Sequence, residues 1–284
     1  MQLSFDLFSG LPNPSWRLSL PVARTAFEII ADSDLMRSLR VPFPARLGYR
    51  GMQLHLPAEL SMKYRLPQIV RLSVDGFDQR PVLNELAAIS LATSFFGFGV
   101  FKDVIGKILD LLSPTPSPPK PPSKVPPGGG KAPCSFEMLP FDPNPWNDPA
   151  FVLTNNCYAY ATNKRAAYSN KPQPGIGSGA IYTDPPTCSS VGFAAKRDGA
   201  HDVSDCFPDS EAPRMLVALV IWPGEDYHWY RKHPTCWGHK PGSTLARNVD
   251  NAGKVIVDPQ TCDRGPYTEF CGYMLIPKSQ KVAA

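Results

Sequence analysis

Residues 3–8, LSFDLF, alternate between apolar and polar positions as a half-buried strand does, and SGLPNP after them is a turn signal. A helix is expected over 21–32, with Pro21 suited to its first turn. Residues 49–56 and 69–74 read as strands, and 80–93 as a helix with Val82, Leu83, Leu86 and Ile89 on one face. These elements predict a small N-terminal α+β module over residues 1–97. His55, its one histidine, falls in an alternating stretch and reads as a surface strand residue. Residues 98–112 form a separate amphipathic piece, in which Phe101, Val104, Ile105, Ile108, Leu109 and Leu112 recur at helical spacing. That helix is expected to pack on the first module or on a partner; contact with a membrane surface through 101–112 is the weaker alternative.

The pattern changes again beyond residue 133. In TNNCYAYATNKRAAYSN, Thr154 or Asn155 is placed to cap a helix that carries Cys157, Tyr158, Ala161 and Arg165. A short helix is expected over 193–197. Residues 216–222 are a continuous apolar run bounded by Pro213 and Pro223-Gly224, the signature of a buried strand. Residues 226–232 read as its hairpin partner, 235–239 as a third strand, and 254–257 and 272–276 as further strands. The fold class expected is therefore α+β in two domains, the second (134–284) a helix-plus-antiparallel-sheet module.

Composition adds the joint between them. The chain has 33 prolines in 284 residues, well above the usual share of roughly 5%. Many fall in SPTPSPPKPPSKVPP, so 113–133 reads as a semi-rigid polyproline spacer with a triple-glycine hinge. The net charge of +4 is spread along the chain, without the basic, aromatic-interleaved run that tracks a phosphate backbone, so nucleic acid is not expected as a partner. No stretch is apolar for long enough to span a bilayer, and the N-terminus lacks the pattern of a secretory signal. By default that points to the cytoplasm, or to export without a cleavable signal.

All seven cysteines follow the linker, which points the other way. They allow up to three disulfides and leave at least one thiol, and disulfides imply an oxidising compartment. There is no CxxC pair, so neither a zinc site nor any other metal or cofactor is expected.

Cys157 is the thiol that position nominates. At a helix start, unpaired N–H groups favour the thiolate and offer an oxyanion site, to which the Asn155 or Asn156 amide adds a donor. His228 in DYHWYRK and His239 in WGHKPG would lie on neighbouring strands, one as base and the other orienting it. Trp229, Trp237 and Tyr230 would wall the cleft. The competing expectation makes the same region an aromatic binding surface with incidental histidines.

A cysteine at a helix start followed by histidine-bearing strands resembles the papain-like peptidases in their compact NlpC/P60 and CHAP forms. The resemblance implies Cys157 as nucleophile, His228 as base and His239 as orienter, or else His239 as base with Asp250, Asn248 or Asn251 behind it. The segment running from YHWYR through WGHKPG to VIVDP also resembles bacterial proteins with NCY and W-[SG]-H-K-P-G motifs. Both resemblances are confined to the C-terminal module. Two departures stand out: Arg214 and Met215 occupy the strand where a GHV-type histidine would sit, and no glutamine precedes Cys157 at the oxyanion position. The function so implied is cysteine hydrolysis of an amide bond in a peptide or peptidoglycan-like substrate, through an acyl-enzyme. The alternative is a non-catalytic interaction protein using an aromatic-rich C-terminal sheet surface.

Overall fold

In the computed structural model, residues 1–6, 8–13, 15–18, 23, 27, 47–64, 66–73, 134–168 and 170–284 are described. The expected helices over 21–32, 80–93 and 101–112 and the linker 113–133 lie outside these residues, apart from positions 23 and 27. No described helix is long and apolar enough to cross a membrane. The described structure mixes short helices with antiparallel sheet, an α+β class. Its contacts divide the chain into two units, and residues 8–12 and 47–48 group with the C-terminal residues.

The N-terminal unit is built on four antiparallel strands in the order β2-β1-β3-β4: β1 Gln2–Asp6, β2 Ser15–Arg17, β3 Gly51–His55 and β4 Ile69–Ser73. Leu3, Phe5, Met52, Leu54, Val70 and Leu72 alternate onto one buried face, so period-two patterning fixes the register. Helix α1, Ala58–Tyr64, was not apparent in the sequence; Glu59 in its first turn and Lys63 in its last suit the helix dipole. Asp6 is buried beside Arg50, whose Nε donates to its Oδ1 at 3.1 Å, so neither charge is left alone in the interior.

The C-terminal unit has a five-stranded antiparallel sheet in the order β5-β9-β6-β7-β8. Its strands are β5 His201–Asp202, β6 Met215–Trp222, β7 Asp226–Lys232, β8 Trp237–His239 and β9 Glu269–Ile276. β6 is buried nearly throughout, as its unbroken apolar run requires. The strand expected at 254–257 is only an isolated bridge between Val249 and Val255, and β9 begins three residues before the expected 272.

Three short helices accompany the sheet: α2 Asn144–Asn147, α3 Cys157–Ala161 and α4 Cys188–Asp198. α4 is much longer than expected. Thr187 accepts from the Ser190 N–H while the Ser190 hydroxyl accepts from the Thr187 N–H, a capping box that starts the helix at the cysteine. Val191, Ala194 and Ala195 of α4 and Cys157, Tyr158 and Ala161 of α3 share one core with Val217, Leu219, Ile221, Tyr227 and Trp229 of the sheet. Trp229, Tyr230 and Trp237, expected to wall a cleft or form a binding surface, are all buried. Their bulk supplies core volume instead, which removes the exposed aromatic platform.

Two disulfides brace this unit, Cys134–Cys206 and Cys188–Cys271, the latter tying the first turn of α4 to β9. Three thiols remain, Cys157, Cys236 and Cys262. Two pairs and three thiols fall within the expected bound of up to three disulfides and at least one thiol.

Candidate functional site

Cys157 is the first residue of α3. Asn156 caps the helix, its side-chain oxygen accepting from the Ala159 N–H at 3.2 Å. The helix is only five residues long, and Cys157 has no exposed surface. Its Sγ lies 3.5 Å from the Ser9 carbonyl oxygen. Burial pushes the thiol well above its ordinary pKa and the nearby Asp226 carboxylate adds to this, outweighing the Trp229 N–H, Lys171 and the Tyr158 N–H. This is the opposite of the depressed thiol that a helix start was expected to produce.

The histidines are elsewhere. Tyr227 and Trp229 pack in the same core as Cys157, so the odd positions of β7 face α3. His228 and Tyr230, at even positions, face the other side of the sheet. There His228 is among Tyr230, His239 and Tyr267, at ring-centroid distances of 4.8, 5.1 and 5.8 Å. His228 Nε2 and His239 Nδ1 are 2.9 Å apart, and His239 Nε2 lies 3.0 Å from the Val249 carbonyl. Since a carbonyl only accepts, His239 Nε2 carries the proton, Nδ1 accepts, and His228 Nε2 donates. The structure thus brings together the two expected histidines and separates both from the expected nucleophile.

The remaining predicted residues have structural partners. Asn155 Nδ2 donates to the carbonyls of Phe151 (3.0 Å) and Ala166 (2.8 Å). Asp250 accepts from the N–H groups of Lys254 and Asp263, holding a turn, and Asn248 Nδ2 lies 3.7 Å from Cys236 Sγ. Neither Asp250 nor Asn248 orients His239; the Val249 carbonyl between them does. Arg214 is drawn into ion pairs with Glu137 and Asp209. Lys240, of the WGHKPG motif, is buried and donates to the carbonyls of Val152, Asn155 and Gly242 at 2.6, 2.6 and 2.8 Å. It ties this motif to the loop leading into α3.

Beside Cys157 lies a second set of residues, of which sequence reasoning singled out only Asn156. Asp226, buried at the start of β7, accepts from the N–H groups of Ser9, Gly10 and Leu11 at 2.6, 3.2 and 2.9 Å. Burial raises its pKa; hydrogen bonds from Tyr267 and from this N–H row oppose the rise. Lys171 Nζ donates to the carbonyls of Phe8 (2.6 Å) and Leu11 (2.9 Å). Asn156 Nδ2 and Gln173 Nε2 each donate to Gly10 O at 2.9 Å. These partners lie 146 to 217 residues from the segment they hold, too far apart for any local motif to reveal them. No group of three or more His, Cys, Asp or Glu side chains suited to a metal ion occurs among the described residues.

The buried imidazoles have a consequence for acid stability. Burial is the main cause that lowers His239 to about 3 and His233 to about 4, from an ordinary 6.5. Below 6.5 the unfolded chain takes up protons that the folded one refuses, so their contribution is present above that pH and lost as pH falls. Each group adds a slope of about 1.4 kcal/mol per pH unit between 6.5 and its folded value. Thermal unfolding at pH 7 and pH 4.5 should show a smaller acid-induced drop in a His239→Gln chain than in the wild type. Equal drops would contradict this account.

No family model matches the chain, and no solved structure matches it. It is 44% identical over 135 residues to insoluble matrix shell protein 1 of Ruditapes philippinarum, a match spanning 47% of this chain and 87% of that protein. The chain belongs to the family of that shell matrix protein.

Proposed function

We propose that this chain is a non-catalytic interaction protein of a matrix-forming kind, working in an oxidising compartment, with its C-terminal residues forming a disulfide-braced domain. The finer organisation belongs to the same proposal: an N-terminal domain and a C-terminal domain joined by the proline-rich stretch 113–133 as spacer. The observation that carries the reading is the alternation along β7. It sets Trp229 against the Cys157 helix and His228 on the opposite face, so the thiol has no imidazole to take its proton. Two disulfides and a relative named for an insoluble shell matrix support it.

One observation favours a second reading, cysteine hydrolysis of a peptide or peptidoglycan-like substrate on a papain-like scaffold. A peptide carbonyl, that of Ser9, lies against the Cys157 sulfur, as a substrate carbonyl would. Labelling with a thiol-reactive acyl probe separates the two. Wild type, Cys157→Ala and His228→Ala chains should label equally, through thiols other than Cys157. Labelling of the wild type that is lost in both variants would establish the hydrolase and overturn the matrix reading.

A further inference from the structure

The Phe8–Pro12 segment is held by its main chain. From Phe8 O to Leu11 O, every backbone polar group meets a side chain of the C-terminal unit: Lys171 at both ends, Asp226 on three successive N–H groups, Asn156 and Gln173 on Gly10 O, and Cys157 on Ser9 O. Convergence of three adjacent N–H groups on one carboxylate is anion recognition by a backbone nest, with the nest on the ligand and the anion on the receptor. Asn156, Lys171, Gln173 and Asp226 are all buried. The position of Gly10 is selective as well: a Cβ there would come within 2.6 Å of the Tyr227 ring, so only glycine fits against that floor.

We infer that these residues form a peptide-binding site for a glycine-centred segment, filled by this chain's own Phe8–Pro12 and open to exchange with the same segment of a second copy. The contacts read four consecutive residues and make no use of the covalent path back to the site, 146 or more residues away in sequence. A segment delivered by another copy offers the same N–H groups and carbonyls. Each copy both gives and receives: reciprocal exchange closes a dimer, and exchange passed head-to-tail along successive copies builds rings or open assemblies. Recognition at the site does not depend on the non-catalytic reading, whereas a role in matrix assembly rests on it.

The test uses the full-length chain and a synthetic peptide, acetyl-Leu-Phe-Ser-Gly-Leu-Pro-Asn-amide, carrying a fluorophore. Gly10→Val should expel the tethered segment and leave the site open, so that this chain binds the peptide saturably. Adding Asp226→Asn should weaken binding by about tenfold or more. A Gly10→Val chain and an Asp226→Asn chain, each defective in one half of the exchange, should pair when mixed and not separately. Ser9→Pro with Leu11→Pro, which removes two N–H donors without adding bulk at Gly10, serves as a second open-site chain. Photo-crosslinking of a benzophenone-bearing peptide, in excess, to the wild type covers the case in which both variants misfold. Absence of binding to every folded variant and of crosslinking to the wild type would overturn the site. Mass analysis of the recovered peptide keeps the two proposals apart. Intact peptide is expected, and cleavage after the serine would leave the site standing and overturn the non-catalytic reading.

Discussion

Breaking both disulfides should unfold the C-terminal unit under conditions where the oxidised chain is stable. Cys134–Cys206 and Cys188–Cys271 close loops with sequence separations of 72 and 83 residues. On the chain-entropy account, each such closure removes about 4 kcal/mol of freedom from the unfolded ensemble. Domains are typically stable by only about 5–15 kcal/mol, so losing both links uses up most or all of that margin. Cys188→Ser alone should already lower the denaturant midpoint, because it also detaches the first turn of α4 from β9. Urea unfolding with and without a reductant checks this. Unchanged midpoints would show that the bridges do not hold the fold.

The second large effect is expected at Lys240. Its ammonium is buried against three carbonyls from two separated stretches of chain, Val152 and Asn155 on one side and Gly242 on the other. Lys240→Met keeps much of the volume and removes every donor. Each buried acceptor left unpaired costs about 1–3 kcal/mol, so the loss should reach about 3–5 kcal/mol. That corresponds to a fall of about 10 °C in melting temperature for a unit of this size. Lys240→Arg should not restore it fully, since a planar fork cannot point three donors at carbonyls arranged around a single nitrogen. Calorimetry of the three chains gives the answer, and a Met variant melting with the wild type would refute the assignment.

Local pattern made much of the fold legible. The apolar run of β6, the hairpin into β7 and the alternation in β1 and β3 each follow from residues in a single window. α4 was mostly missed because its start signal is Thr187 with Ser190 rather than a carboxylate at the third position, set in a proline-rich stretch. Cys157 was correctly placed at a helix start, yet the inference from position to reactivity failed. Burial outweighs a five-residue helix, and the sulfur ends among Tyr227 and Trp229. The arrangement of the histidines was readable in part. Alternation puts His228 and Trp229 of DYHWYRK on opposite faces, but both faces are buried and each carries a tyrosine, so the pattern alone does not say which of them meets Cys157. The hold of Asp226 and Lys171 on Phe8–Pro12 was not readable, because no spacing rule links residues that far apart.

Native-state alkylation of Cys157 across a urea series, read by peptide mass mapping, tests the central claim most directly. If Cys157 is a core residue covered by the Ser9 carbonyl, its modification should be negligible in the native state and rise only in step with global unfolding. Rapid alkylation without denaturant, at a pH below the ordinary thiol range and abolished by His228→Ala, would show an activated nucleophile and contradict the account.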